Sequence, residues 1–249
     1  MINKKKILCN DKTWDIFHLG KVSSTMNEIK KESYSKYNNL AIYADSQTEG
    51  KGRRDNCWVS RKGNLFLSLK ITNIKIRQFF IFNYIVGLTV YDSIVFFLNC
   101  NKNIYIKWPN DIILNNRKLA GIIVEFSSIG KKIDNLYIGI GVNISHSPND
   151  LKYKTTFLNS NTKRKIAIAE TINLILTKIT LWENIYYSHG ANFIIKEWMN
   201  RSHKLGSYIN FREKNELIKG VYKGIEEDGA IKINIKNKIF KFYNKEILI

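Results

Sequence analysis

Cysteine and histidine are both scarce in this chain. The three cysteines, Cys9, Cys57 and Cys100, share no close spacing. That excludes a disulfide framework and a thiolate zinc site, and it suggests a reducing compartment. The four histidines, His18, His146, His189 and His203, are as widely scattered and spell no metal motif. Two nucleotide signatures are missing as well. No G-x-x-x-x-G-K-[ST] run occurs and no G-x-G-x-x-G follows a strand pattern, so kinase-type and dinucleotide-type readings fail on the residues. Acidic residues are few: 21 against 40 lysines and arginines, a formal charge of +19. Such an excess suits nucleic acid, an anionic membrane, or acidic small molecules and proteins. The cations are spread along the whole chain with abundant Asn and Ile, as a coding bias would spread them, so the charge alone does not mark a nucleic-acid binder.

Leader and membrane signals are weak. The basic start "MINKKKILCNDKTW" is interrupted by Asn10 and Asp11 before an apolar run forms. One long hydrophobic run does occur, "FFIFNYIVGLTVYDSIVFFL", Phe79 to Leu98, with the length of a membrane span. It carries Asn83 and Asp92, and a central Asp costs about 2.5–3.5 kcal/mol on insertion scales. The run reads as a core helix with a polar edge, in a cytoplasmic protein with no membrane partner.

What the chain has in quantity is apolar mass. Of 249 residues 44% are apolar and 12% aromatic, enough for one large domain, or one of about 200 residues with a small appendage. "SSTMNEIKKES" suits a helix capped by Ser24 or Thr25. "LAIYAD" (40–45) and "NLFLSLKI" (64–71) alternate as strands do. The nearly twenty residues between them contain "DSQTEGKGRRDNCW", with three cations and two glycines in a short stretch. A connection of that length is often a functional lid. Further on, "IYIKWPNDIILNNRKLAGIIVEF" (104–126) is interrupted by Pro109 and carries an Asn115-Asn116 hairpin turn. "NLYIGIGVNIS" (135–145) puts Gly139 and Gly141 on one side of a strand, where something else can lie against bare backbone. From Lys165 to Asn200 the pattern is helical. After His203, short strands with Asp228-Gly229 and Lys236-Asn237 turns read as a small barrel of five strands. Two domains are expected, 1–202 and 203–249.

Loop and strand ends collect Gln47, Gly50, Lys51, Gly52, Arg53, Arg54, Lys107, Asn110, Asp111, Lys118, Gly121, Gly139, Gly141 and Asn143. Cations for phosphate or carboxylate stand beside a carboxylate able to hold Mg²⁺ and glycines for backbone approach. In order and spacing, "GKGRR" followed by a tryptophan, "KWPND", "RKLAGIIVE" and "IGIGVNI" resemble the biotin protein ligases, over about Val22 to the C-terminus. The fold class that this resemblance implies is α+β. It comprises a mixed β-sheet catalytic core with flanking helices, related to class II aminoacyl-tRNA synthetases, and a small C-terminal SH3-like β-barrel. Only about twenty residues precede Ser23-Ser24-Thr25, too few for the helix-turn-helix repressor domain that some relatives carry.

The activity implied is ATP-dependent biotinylation. Biotin attacks ATP to give biotinyl-5′-adenylate, and a lysine of biotin carboxyl carrier protein, the acetyl-CoA carboxylase subunit, then displaces AMP. ATP and biotin are substrates and Mg²⁺ accompanies them. The family pattern makes Arg53 and Lys118 the catalytic pair, and assigns biotin to Ser24, Thr25, Gln47, Gly50, Lys51, Arg53, Lys118, Gly121, Gly139 and Gly141. It assigns ATP to Lys51, Arg53, Arg54, Trp58, Asn110, Asp111, Lys118 and Asn143, and the metal to Asp111. Plainer roles compete: Ser24 and Thr25 also suit a helix cap, Trp58 and Trp108 core aromatics, Lys107 a solvated strand residue and Arg54 a surface charge. Three positions depart from the pattern: Asp55 where relatives commonly have Gly, Met26 where many have Asn, and Lys51 in place of Arg, which loses the bidentate fork. An Asp beside the cations lowers the local positive potential, so Asp55 is expected to weaken the hold on the adenylate.

A lipoate–protein ligase would carry Arg-Arg with a Gly-Gly-Gly run and a nearby His, which are absent. A non-catalytic nucleic-acid module could stack bases on "KIFKFYNK" (238–245), although alternation on a small barrel explains the same letters. No specific nucleic acid is expected, and a homodimer through an edge strand stays open.

Overall fold

The computed structural model describes residues 3–54, 56–72, 74, 80–129, 132–151, 153–213, 216–243 and 247–248. Asp55, Phe79, Asn244 and Lys245, which figure in the expectations above, lie outside that set. Eight strands form the main sheet: β1 (Asn3–Cys9), β2 (Lys12–Val22), β3 (Asn39–Gln47), β4 (Leu65–Thr72), β5 (Ile104–Lys107), β6 (Asp111–Leu114), β7 (Arg117–Ile129) and β8 (Lys132–Val142). Their order is β1-β2-β3-β4-β8-β7-β6-β5. Only β2 and β3 run parallel; the other neighbours are antiparallel. The β6–β7 turn places Asn115 and Asn116 at φ 51° and 57°, the left-handed pair that a tight hairpin needs.

Period-2 alternation decides what each face of this sheet meets. Leu65, Leu67, Leu69, Ile112, Ala120, Ile122, Ile138, Ile140 and Val142 join the main core with α2 (Ile81–Leu98) and α3 (Ile168–Asn200). The long apolar run is indeed a core helix. It is the one described helix long and apolar enough to cross a membrane, and 72% of it is buried inside the molecule. Its Asp92 accepts hydrogen bonds from Trp182 Nε1 (2.9 Å) and Arg201 Nε (3.2 Å), which satisfies the carboxylate within the fold. α3 is broken at Gly190, φ 79°, ψ 179°, where the sequence pattern changes from "NIYYSHG" to "ANFIIKEW".

The opposite face is covered differently. Phe17, Leu19, Leu40, Ile42 and Ala44 pack with Ile29 and Tyr34 into a second, smaller core. Ile29 follows α1 (Thr25–Glu28), so the covering segment begins at the predicted Ser-Ser-Thr cap. Beyond that cover the same face continues over β4, β8, β7 and β6. Two cross-strand rows lie there: Ile42, Ser68, Gly139 and Ile123, then Phe66, Gly141, Gly121, Asp111 and Lys107. Residues opposite one another in a ladder share a face.

The C-terminal part corrects one expectation. Four strands, β9 (Tyr208–Glu213), β10 (Glu216–Ile225), β11 (Ile231–Ile235) and β12 (Lys238–Phe242), form an open antiparallel sheet in the order β12-β11-β10-β9. Ile247 bridges Phe211 at the β9 edge. Among the described residues β12 and β9 do not pair, so the predicted barrel does not close. The physical reason lies in where the apolar side goes. Ile209, Phe211, Tyr222, Ile231 and Ile233 are buried in the main core, and Tyr84 of α2 donates its hydroxyl to the Gly229 carbonyl at 2.8 Å. A sheet that buries one face against a neighbour has no need to curl on itself.

Candidate active site

The basic segment after β3 folds back on itself. Gln47 N–H donates to the Ser60 carbonyl (3.2 Å), Trp58 N–H to Gly50 (2.8 Å) and Gly52 N–H to Asn56 (2.7 Å), while Lys51 and Cys57 form a bridge. Gly50 is required for this closure. A Cβ there would lie 2.3 Å from the Trp58 carbonyl oxygen and 2.5 Å from Ser60 Oγ. Lys51 and Arg54 are exposed on the resulting hairpin, with Arg54 at φ 52°. Arg53 turns inward, and its Nη1 donates to Asn110 Oδ1 at 3.4 Å. Asn110 is itself fixed to β7, donating to the Ile122 carbonyl (2.5 Å) and accepting from the Ile122 N–H (2.9 Å).

A second polar chain runs under the loop. The Thr25 N–H and hydroxyl both donate to Gln47 Oε1 (2.8 and 3.0 Å), and Ser68 donates to Thr25 Oγ1 (2.9 Å). Gln47 Nε2 donates to Ser60 Oγ (2.8 Å), whose hydroxyl reaches the Trp58 carbonyl (2.9 Å). Ser24 precedes α1 as its N-cap residue, but its side chain makes no capping bond.

Trp58 lies flat on the glycine row. A Cβ on Gly141 would fall 2.4 Å from its Cε2 and 2.6 Å from its Nε1, and one on Gly121 would fall 2.9 Å from its Cζ3. These glycines therefore admit an indole against the sheet, as the bare-backbone reading anticipates. Gly139 is packed otherwise: a Cβ there would lie 2.7 Å from Ile123 Cγ1 and 3.1 Å from Met26 Cγ. Met26, one of the departures, is thus buried over this end of the floor. Asn143 is buried too, and donates its amide to the Thr156 carbonyl (3.1 Å), tying the end of β8 to the 153–158 segment.

The charged centre is Lys118. Its Nζ lies 2.8 Å from Asp111 Oδ1, 5.4 Å from the Trp58 ring centroid and 5.2 Å from that of Tyr153. The other Asp111 oxygen, Oδ2, lies 3.2 Å from Lys107 Nζ. Burial alone pushes the Asp111 carboxyl up, but Lys118 and then Lys107 outweigh it and hold the group below the usual carboxylate range. Asp111 was expected to hold Mg²⁺. A carboxylate shared by two ammonium groups offers no net negative charge to a dication, and among the described residues no cluster of three His, Cys, Asp or Glu could hold a metal. The residues do not fit a protein-held Mg²⁺.

Ser24 Oγ and Trp58 Nε1 are buried and meet no hydrogen-bond partner, and the buried Asp111 Oδ1 meets only the Lys118 ammonium. Such atoms are rare in folded proteins. Sequence reasoning missed Ser60, Ser68 and Tyr153. Ser68 had a faint signal, a lone hydroxyl inside the apolar strand "LFLSLKI". Tyr153 had none, because only the pairing of Lys118 with Lys154 and Thr156 (2.9 and 3.0 Å) brings its loop alongside.

An arginine loop, a lysine and bare strands gather over one sheet face, an arrangement suited to an enzyme that handles anionic substrates. The chain belongs to the biotin/lipoate A/B protein ligase family, whose sequence profile matches residues 19–143. Among its relatives is the bifunctional ligase/repressor BirA of Bacillus subtilis, 28% identical over 89% of this chain and 71% of that protein. Another is the biotin–[acetyl-CoA-carboxylase] ligase of Paracoccus denitrificans, 26% identical over 86% of this chain and 91% of that one. In fold the chain is similar to the biotin protein ligase from Aquifex aeolicus in complex with biotin and ATP. The TM-score is 0.81 at 22% identity, covering 94% of this chain and 98% of that one.

Proposed function

We propose that this protein joins biotin to a lysine of a biotin carboxyl carrier protein in two steps. The biotin carboxylate attacks the α-phosphorus of ATP, forming biotinyl-5′-AMP and releasing pyrophosphate. The carrier lysine amine then attacks the acyl carbon and AMP leaves. Names of relatives support the substrate: the Paracoccus denitrificans protein is a biotin–[acetyl-CoA-carboxylase] ligase.

The physical problem is charge. A carboxylate approaching a polyphosphate at about 4 Å is repelled by about 1 kcal/mol in water and several times more at low dielectric. Lys118 and Arg53 answer it, one rooted in β7 and the other braced on Asn110, so their charges are in position before the substrates meet. The Thr25–Gln47–Ser60 chain and the partnerless Ser24 hydroxyl offer polar contacts to the ureido end of biotin. Trp58 supplies the apolar wall, and the Gly50–Ser60 hairpin shields the mixed anhydride from water.

The observation that carries this reading is the convergence of Arg53, Lys118 and Trp58 over the Gly121–Gly141 floor. Its test is biotin-dependent ATP–pyrophosphate exchange, with lipoate as control. Exchange with biotin and not with lipoate is expected. Arg53→Ala and Lys118→Ala are each expected to lose it by about 100-fold or more. No exchange by the wild-type protein, or exchange with lipoate alone, refutes the reading.

A further inference from the structure

Lys107 was weighed above as a solvated strand residue. Instead it is only 4% exposed, and its ammonium joins two parts of the molecule. Nζ stands 3.2 Å from Asp111 Oδ2 and donates to the Ile247 carbonyl at 3.0 Å. Ile247 belongs to the C-terminal sheet, bridging Phe211 of β9, while the next N–H, that of Leu248, donates to Asn210 at 2.7 Å. Asp111, 7% exposed, gives its remaining oxygen to Lys118. A continuous line therefore runs from a backbone carbonyl of the small sheet through Lys107 and Asp111 to Lys118.

We propose that Lys107 is a positioning residue for adenylation, holding Asp111 so that Lys118 keeps its ammonium available to substrate; the assignment rests on the ligase function proposed above. Two cations share one carboxylate here, so the buried cluster has an excess positive charge. Lys107 occupies one oxygen and turns the other toward Lys118. Without Lys107, both oxygens can close on Lys118 as a tight pair, and a neutralised ammonium stabilises the charge gathered on the reacting carboxyl and phosphate oxygens in the transition state far less. The Ile247 carbonyl keeps Lys107 itself from swinging, which makes the C-terminal sheet part of the apparatus although none of its side chains enters this line.

The test compares wild type, Lys107→Met, Asp111→Asn and the double variant in the exchange assay, each first shown by thermal unfolding to be folded. Lys107→Met is expected to lower kcat about tenfold or more while the KM for biotin moves less than about threefold, because the ammonium acts on charge that develops in the transition state. The double variant is expected to match Asp111→Asn within about twofold, since Lys107 acts only through that carboxylate. Should Lys107→Met fail to fold, Lys107→Gln, which can still donate to Ile247, is expected to show the same loss. An unchanged kcat in a folded Lys107 variant, or additive losses in the double variant, overturns the positioning role and leaves the ligase reading standing. Absence of exchange in the wild type overturns both.

Discussion

Gly141→Ala is the sharpest probe of the indole floor. The new Cβ would stand 2.4 Å from Trp58 Cε2, about 1 Å inside ordinary contact, which begins near 3.4 Å. Either the strand or the indole must move. Strand β8 is held from both sides, with Gly141 opposite Phe66 and Gly121. The indole is freer, because its Nε1 has no hydrogen bond to lose. Overpacking of this kind costs about 1–3 kcal/mol. If the indole moves, that cost appears as lost ligand binding, about 5- to 150-fold in the KM for biotin or ATP. Urea unfolding should then shift by less than about 1 kcal/mol. A double-mutant cycle with Trp58→Ala decides the route. With the indole gone, Gly141→Ala should add almost nothing. An equal penalty in the Trp58→Ala background, or a loss of stability with both KM values unchanged, would refute the proposed packing of Trp58 on the floor.

Three further outcomes follow from the same geometry. Burial, and after it Lys107, lowers the pKa of His203 to about 4. Its contribution to stability is therefore complete above pH 6.5 and lost as pH falls toward 4. Urea unfolding of wild type should lose up to about 3 kcal/mol over that window, and His203→Gln should not show that part of the loss. Asn64 Oδ1 accepts from the N–H groups of Ile144, Ser145 and His146 (3.0, 3.0 and 3.3 Å), so Asn64→Ala should cost about 2–3 kcal/mol in the same assay. In Gly50→Ala the added methyl meets the Trp58 carbonyl, which cannot rotate away. The hairpin should open, and trypsin should cut at Arg53 or Arg54 about tenfold faster than in wild type; an unchanged rate would show that the loop absorbs the methyl.

Much of the scaffold was legible because local chemistry dictates it. Asn115-Asn116 can turn left-handed, the 81–98 run is too apolar for a surface and carries Asn83 and Asp92, and Gly139 and Gly141 must share a side of a strand. Strands β1 and β2 were missed, since "NKKKILC" shows three lysines in a row and no clean alternation. The barrel was over-read because alternation reports that one face is buried, not what buries it. In the site, the motif residues were legible but their partners were not. Asp111 carries the same letter whether a metal or two lysines surround it. Only the ladder that sets Lys107 opposite it, and the bulge after Ile112 that leaves Lys118 paired with Ile113, brings both cations onto its oxygens.

That arrangement also bears on why the site is built on a sheet and not only on its loop. The hairpin's own cations differ in fate: Lys51 and Arg54 face solvent, while Arg53 is held by Asn110. Solvent-facing charges attract anions from a distance but are screened within about 8–10 Å at ordinary ionic strength. Charges held at the sheet, Lys118 by the Asp111 carboxylate and Arg53 by Asn110, keep their strength where water is excluded. Arg53 and Lys118 are accordingly the residues whose loss should abolish chemistry. Loss of Lys51 or Arg54 should mainly slow substrate capture. Substituting each hairpin cation by Gln and measuring exchange at low and high salt separates the two: the capture defect should vanish at high salt, and the Arg53 defect should persist. A Lys51→Gln defect that is as large at high salt as at low would place Lys51 in the chemistry after all.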